Sequence, residues 1–130
     1  MRLWHENLIT LLPSEQLNGQ HRECCALRGN GWGKKHSTVN YVFKYGRDKL
    51  YQYHMLVILE RDRRGYQTDE LWRSPEYRGK YCVPDKCINI IHKNGTIYDE
   101  HDAEYLNECL LNLAGKGIYL NQNCLTQKEG

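Results

Sequence analysis

The sequence predicts a mainly α fold, a compact single-domain helical structure with irregular connecting loops. Two observations indicate this class. Three stretches repeat apolar residues at helical spacing, and each ends at or next to a glycine, which often terminates a helix. The chain of 130 residues is long enough for one domain built around one hydrophobic core. We expect residues 1–120 to form this domain and residues 121–130 to be a C-terminal tail.

The first predicted helix spans residues 14–28. Pro13 lies just before its start and Gly29 just past its end, which are typical positions for these residue types. Three polar residues at i, i+4 and i+7 share one face of this helix: Gln16, Gln20 and Glu23. Because apolar residues border that face, we expect Glu23 to lie at the edge of the core. A carboxylate there is either a surface partner of a neighbouring arginine or a group available for catalysis.

Two further long helices are predicted. The second covers residues 47–64, where an apolar stripe precedes the stop at Gly65: Leu50, Tyr53 or His54, Val57 and Ile58. We interpret His54 as a core histidine. The last helix covers residues 99–113 and buries four residues: Leu106, Cys109, Leu110 and Leu113.

The connecting segments give weaker signals. Residues 39–43 favour either a short strand or an extra helical turn. Residues 67–84 are mostly irregular, and a short helix is expected to begin at Pro84 and to end before Asn94.

Glycine at every second position predicts that residues 29–35 form a loop. A P-loop is excluded, because that motif needs glycine where Arg28 stands and serine or threonine where Lys35 stands. The glycines instead favour close approach of a phosphate, with three basic side chains beside it: Lys34, Lys35 and His36. Trp32 either stacks on a base or is a buried anchor of the turn.

Positive charge is concentrated in the first part of the chain. Residues 1–50 hold eight Lys and Arg against four Asp and Glu, whereas residues 81–130 hold four against seven. The eight cations include the residues of the first helix and the glycine loop: Arg2, Arg22, Arg28, Lys34, Lys35, Lys44, Arg47 and Lys49. This pattern is typical of a surface for a phosphate backbone, although ordinary solvated charge also produces it.

Four segments, in order along residues 1–120, are similar to one known family. The start of the chain, Met1-Arg2-Leu3, is followed some twenty residues on by Arg22-Glu23, and Asp48-Lys49-Leu50 then opens a long helix. Two later segments are Glu76-Tyr77-Arg78-Gly79 and Gly115-Lys116-Gly117-Ile118-Tyr119. Together these segments resemble the endonuclease V family of pyrimidine-dimer DNA glycosylases.

The resemblance implies an enzyme, a DNA N-glycosylase with AP-lyase activity, and a set of catalytic residues. In that family the α-amine of the first residue attacks C1′ of the damaged nucleotide and forms an imine with the sugar. By position, that amine is carried by Met1, with Arg2 next to it. Glu23 stabilises the positive charge at the sugar and assists β-elimination, with Arg22 as its neighbour. An α-amine suits this chemistry, because its reference pKa near 8 leaves a useful neutral fraction and a nearby guanidinium lowers the pKa further.

The implied partner is duplex DNA that contains a damaged base or an abasic site, bound by a monomer without a metal or cofactor. The residues expected to contact DNA are those of the basic region and one lysine near the end: Arg28, Trp32, Lys34, Lys35, His36, Lys44 and Lys116. The chain departs from the family at several positions. Arg2 stands where relatives carry the threonine exposed by methionine removal, and Gln16 and Ala26 replace a family histidine and arginine. Residues 107–114 replace its aromatic cluster.

Two alternative functions remain open on the sequence. The first is a relative that binds distorted DNA without catalysis. The second is a zinc deaminase, because His21-x-Glu23 matches the first half of that signature. The second half, Pro-Cys-x-x-Cys, is absent: Cys82 and Cys87 are five apart and Pro84 lies between them. We therefore do not expect a zinc site. The six cysteines are expected to be reduced thiols in a soluble, cytoplasmic protein without a leader.

Overall fold

The computed structural model describes residues 2–35, 38–86 and 95–120. Within these residues the chain forms three α-helices and no strand: α1 (Ser14–Arg28), α2 (Arg47–Arg63) and α3 (Ala103–Gly115). Three short 3-10 helices lie outside them: Glu6–Leu8, Asn40–Lys44 and Glu70–Arg73. The predicted mainly α class is confirmed. Across the described ranges, every helix is too short or too polar to cross a membrane.

The helix boundaries follow local capping. The α1 boundaries agree with the prediction, and α2 ends one residue before the predicted Arg64. The α3 helix begins later than predicted, because the Asp102 side chain accepts a hydrogen bond from the Tyr105 backbone N–H and so caps the helix. Residues 39–43 contribute to a 3-10 helix rather than to a strand. Most of the predicted short helix after Pro84 lies outside the described residues.

Two helices end in the same way, with a glycine in the left-handed region. After α2, Gly65 has φ of +88° and the Tyr66 N–H donates to the Arg61 carbonyl. After α3, Gly117 has φ of +82° and the Ile118 N–H donates to the Leu113 carbonyl. This is the Schellman arrangement, in which glycine adopts the positive φ without steric cost.

The core lies where α1 and α2 pack against each other. The segment before α1 contributes as many buried residues as a helix does: Leu3, Trp4, Leu8, Ile9 and Leu12. The α3 helix contributes less, with Cys109 and Leu113 fully buried and its other apolar residues half-buried or exposed. The start of the chain is therefore part of the hydrophobic core, and residues 2–4 run directly along α1.

Candidate active site

Glu23 lies half-buried on α1, at the edge of the core. Its carboxylate accepts a hydrogen bond from Nε2 of Gln20 at 2.9 Å and one from the backbone N–H of Arg2. Burial raises the pKa of the Glu23 carboxyl above its usual value, and these hydrogen bonds together with the charge of Arg22 counter that effect only in part. The sequence expectation of a partly desolvated carboxylate at the core edge agrees with this position.

The side-chain amide of Gln20 joins Glu23 to the first residues of the chain. Its Nε2 group donates to the Arg2 carbonyl oxygen at 2.9 Å as well as to Glu23. Its Oε1 atom accepts a hydrogen bond from the Trp4 backbone N–H at 2.7 Å. The Gln20 side chain is 1 % exposed, and its bonds to Arg2 and Trp4 hold the backbone of residues 2–4 against α1.

Two tyrosines complete this arrangement, which we call the N-terminal clamp: Gln20, Tyr53 and Tyr105. The Tyr53 hydroxyl on α2 lies 2.5 Å from the Trp4 carbonyl oxygen and 2.7 Å from Oε1 of Gln20. The Tyr105 hydroxyl on α3 donates to the Leu3 carbonyl oxygen at 2.6 Å. Each of the three helices thus supplies one side chain that fixes the backbone of residues 2–4.

The two predicted catalytic arginines lie on different sides of this region. The Arg2 guanidinium is directed toward α3, with Nη1 3.5 Å from Glu108 and its central carbon 5.8 Å from the centre of the Tyr105 ring. Arg22 is exposed on α1 and is close enough for its charge to lower the pKa of Glu23. The proposed nucleophile, Met1, lies outside the described residues.

The structure contradicts the expectation that Arg28 contacts DNA phosphates. Its side chain is 1 % exposed, and its guanidinium donates to three backbone carbonyls of the segment after α2: Trp72, Ser74 and Tyr77. A fourth contact joins its Nη1 to Nδ1 of His54 at 2.9 Å. Arg28 is therefore an internal cross-link between α1 and residues 72–77, and both of its Nη groups are engaged in these contacts. The helical pattern had placed it in the last turn of α1 without showing what would cover it.

The glycine loop keeps two of its predicted basic residues exposed, namely Lys34 and Lys35, while His36 lies outside the described residues. Trp32 is half-buried and packs edge-on against Phe43 at 5.1 Å between ring centres, with the Arg47 guanidinium above it. This packing corresponds to the anchor interpretation of Trp32. A Cβ atom on Gly31 would lie 2.8 Å from the Ala26 carbonyl oxygen, so glycine is needed there for the chain to turn back onto α1.

The remaining predicted DNA contacts lie on other elements. Lys44 is exposed, but its Nζ atom lies 2.6 Å from a Glu100 carboxylate oxygen. Lys116 is exposed at the C-terminal end of α3. Neither residue adjoins the glycine loop in sequence, and Lys44 already has an acidic partner.

A basic pocket that the sequence reasoning missed lies beside the glycine loop. It has a volume of about 490 Å³ and brings together three cationic residues: Lys34, Arg78 and Lys80. The Arg78 guanidinium donates to the backbone carbonyls of Arg28 and Gly29, which fixes residues 78–82 against the loop. One of these cations, Arg78, lies in the Glu76-Tyr77-Arg78-Gly79 segment, which the sequence interpretation used only as part of the family resemblance. The N-terminal clamp was not predicted either. The sequence placed Gln20 on the same helix face as Glu23 but did not indicate that it would bond residues 2–4.

The comparisons with known proteins identify the family. The model of the pyrimidine dimer DNA glycosylase family matches residues 1–74, which is more than half of the chain. The chain therefore belongs to this family, as the sequence resemblance predicted. No curated protein and no solved structure matches it. The matched region contains α1, α2 and two members of the N-terminal clamp, Gln20 and Tyr53.

Proposed function

We propose that this protein is a DNA glycosylase and AP lyase that acts through an imine on its N-terminal α-amine. The amine of Met1 attacks C1′ of a damaged nucleotide, the base leaves, and the sugar ring opens as the imine forms. β-Elimination then breaks the C3′–O bond and expels the 3′ phosphate, and water hydrolyses the imine to free the amine. Glu23 stabilises the cationic intermediate and assists the proton transfers. The damaged base or its partner leaves the helical stack to expose the sugar, at a cost that is lowest at a lesion.

One observation carries the proposal. Gln20 donates hydrogen bonds to both the Arg2 carbonyl oxygen and the Glu23 carboxylate, so the beginning of the chain is tied to the one carboxylate expected to assist catalysis. The backbone N–H of Arg2 donates to the same carboxylate. Covalent bonding alone keeps the α-amine of residue 1 within about 4 Å of the Arg2 nitrogen. The proposal requires that Met1 be the first residue and carry a free amine.

The decisive experiment is borohydride trapping on duplex DNA that contains one abasic site. Borohydride reduces an imine to a stable amine, so the proposal expects a covalent protein–DNA complex whose DNA is attached to the N-terminal peptide. Mass spectrometry of the digested complex locates the attachment. A protein acetylated at its N-terminus is the matched control, since it keeps the fold and loses only the nucleophile.

The alternative function, binding of distorted DNA without catalysis, gives a different result. It predicts complex formation in a gel-shift assay but no trapped adduct and no strand cleavage. DNA attached to a lysine such as Lys34, with the N-terminal peptide unmodified, would contradict the assignment of the nucleophile while retaining imine chemistry.

A further inference from the structure

A second cluster of reactive side chains lies on the opposite side of α1 from Glu23. His21 and Cys25 are one helical turn apart, and each is two residues from Glu23, which rotates them about 200° away from it around the helix axis. His54 of α2 faces them. The proposed glycosylase chemistry uses none of these three residues.

The distances within this cluster are those of a set of metal ligands. Nδ1 of His21 lies 2.8 Å from Nε2 of His54, and Sγ of Cys25 lies 3.9 Å from each of these nitrogens. A tetrahedral ion such as zinc, bonded at ordinary lengths, holds two nitrogens about 3.3 Å apart and a sulfur about 3.6 Å from each. The three atoms therefore need to move by only about half an ångström to share one ion.

We propose that His21, Cys25 and His54 form a three-ligand site for a soft d10 metal ion, Cu(I) or Zn(II), that connects α1 to α2. Imidazole nitrogen and thiolate sulfur are the ligands that these ions prefer. The sequence argument against zinc considered only a Cys-x-x-Cys pair. The signal it missed is the spacing of His21 and Cys25, which puts a nitrogen and a sulfur ligand on one helix face.

His21 can ligate in its present protonation state, whereas His54 has to change tautomer first. Arginine only donates hydrogen bonds, so the contact from Arg28 makes Nδ1 of His54 an acceptor and puts the His54 proton on Nε2, shared with Nδ1 of His21. Burial and the nearby arginines hold the pKa of His21 at about 4, which leaves its ring neutral. Binding of an ion would move this proton from Nε2 to Nδ1 of His54 and release the Cys25 thiol proton to solvent. The Arg28 Nη1 atom would then lose its contact with His54 and retain its other acceptor, the Trp72 carbonyl oxygen.

The surrounding charge distinguishes the two candidate ions. Burial raises the pKa of the Cys25 thiol to about 11, and the charges of Arg28 and Arg61 counter that rise only in part. An ion that binds the thiolate therefore adds its charge to a site that already contains two guanidinium groups. A thiolate and a monovalent ion together carry no net charge, whereas a thiolate and a divalent ion leave one positive charge among arginines. Cu(I) also accepts three ligands without a fourth. The surroundings therefore favour Cu(I), while Zn(II) would require water or another ligand at a fourth position.

The test is a competition titration of the full-length reduced protein, in one arm with Cu(I) against bicinchoninate without oxygen and in the other with Zn(II) against a chromophoric chelator. We expect one tightly bound equivalent in at least one arm, and its identity decides between the ions. Cys25→Ser and His21→Gln should each weaken that binding at least tenfold. Cys82→Ser is the matched control, because this thiol bonds Asn30 and lies outside the cluster; it should retain wild-type affinity.

Two further measurements distinguish the loss of a metal ligand from the loss of the fold. Co(II) loaded into the site should show a thiolate charge-transfer band that is absent in Cys25→Ser and present in Cys82→Ser. The bound ion should also raise the melting temperature of wild type and Cys82→Ser but not of Cys25→Ser, since it binds only the folded arrangement. Absence of stoichiometric binding in both arms, or binding that persists unchanged in Cys25→Ser, would overturn the site.

Discussion

At the scale of single residues, burial decides which charged side chains of α1 are available for chemistry. Glu23 is half-buried and keeps one side open to solvent, whereas Arg28, five positions later, is almost fully enclosed. Both are charged residues on one amphipathic helix, and the sequence assigned a functional role to each. Of the two, only Glu23 remains partly open to solvent, so the two residues lead to different predictions.

Replacement of Glu23 by glutamine should stop catalysis and spare the fold. The amide oxygen still accepts hydrogen bonds from Gln20 and Arg2, but the side chain can neither carry negative charge nor transfer a proton. We expect cleavage of abasic DNA to slow by about 10²-fold or more, which is the range for losing a general acid or base. DNA affinity should stay within about threefold of wild type, because a carboxylate on a basic surface does not help to bind phosphate. Single-turnover cleavage and gel-shift titration measure the two quantities; a variant that cuts at the wild-type rate would contradict the role.

Replacement of Arg28 by methionine should damage stability rather than DNA binding. The change keeps the apolar stem but leaves the carbonyls of Trp72, Ser74 and Tyr77 without their donor. We expect a loss of about 3–5 kcal/mol in the free energy of unfolding, as for removal of one partner from a buried charged network. Urea unfolding followed by circular dichroism checks this. Arg22→Met, on the exposed face of the same helix, is the control and should cost less than about 1 kcal/mol.

At the scale of elements, the N-terminal clamp explains how residues 2–4 form an ordered part of the candidate site. Termini usually fray, because they make few contacts. Here residues 2–4 lie between α1, α2 and α3, with a polar side chain from each helix on their backbone groups and with Leu3 and Trp4 buried. The element that would present the nucleophile is therefore held by the core and by hydrogen bonds together.

Removal of Gln20 should reduce both stability and catalysis, but in separable ways. In Gln20→Ala, the Trp4 N–H and the Arg2 carbonyl lose their partner, which should cost about 2–3 kcal/mol in the free energy of unfolding. Because the beginning of the chain is then free to move away from Glu23, single-turnover cleavage should fall at a temperature where the variant is fully folded. Gln16→Ala, one turn earlier on α1 and outside the clamp, should change neither quantity appreciably. An active Gln20→Ala variant with wild-type kinetics would show that the clamp is only structural.

The sequence predicted the helices well and their tertiary contacts poorly. The ends of α1 were predicted correctly because proline, glycine and helical periodicity are local signals. The start of α3 was predicted too early, because three other acidic residues lie near Asp102 and the sequence alone does not show which of them caps the helix. Glu23 was found from its helix face and the family resemblance. Gln20, Tyr53 and the burial of Arg28 were not, because each depends on segments distant in sequence. A 3.6-residue period indicates which face is buried but not what covers it.

At the scale of the whole molecule, the charge asymmetry of the sequence is partly cancelled on folding. Three cations of the first fifty residues pair with acidic residues of the last fifty: Arg2 with Glu108, Lys44 with Glu100, and Arg47 with Asp85. Arg28 is buried as well. Among the described residues, Arg22 of α1 stays exposed, and Lys34, Lys35 and Lys80 form an exposed basic group around the glycine loop and its pocket. It is smaller than the sequence count suggests.

The salt dependence of DNA binding should reflect this smaller basic surface. We expect duplex DNA binding to weaken steeply with salt, and each of Lys34→Ala and Lys35→Ala to reduce the slope of log K against log salt by about one. Lys44→Ala should reduce it less, because Glu100 already neutralises that charge. Fluorescence anisotropy at several salt concentrations gives the slopes. Equal effects of all three substitutions would mean that the Lys44 ion pair opens when DNA binds.

Acid should destabilise the fold through a buried histidine. His101 is 1 % exposed, its Nδ1 accepts from the Glu6 backbone N–H, and its Nε2 lies 2.7 Å from the Tyr41 hydroxyl. Burial, with a smaller contribution from His5, lowers the pKa of His101 to about 3. The unfolded chain therefore takes up this proton as the pH falls below about 6.5, while the folded chain stays neutral until about pH 3, so stability falls with pH across that window.

The expected size for this one group is about 2 kcal/mol between pH 7 and pH 5. We expect His101→Gln to lose less free energy of unfolding between pH 7 and pH 5 than wild type does, by about that amount, because the substituted side chain takes up no proton in either state. Urea unfolding at each pH measures the loss for each protein. The comparison with its own neutral-pH stability removes the cost of the substitution itself. If both proteins lose the same stability on acidification, the proton uptake occurs at another group, and burial of His101 is not what destabilises the folded state in acid.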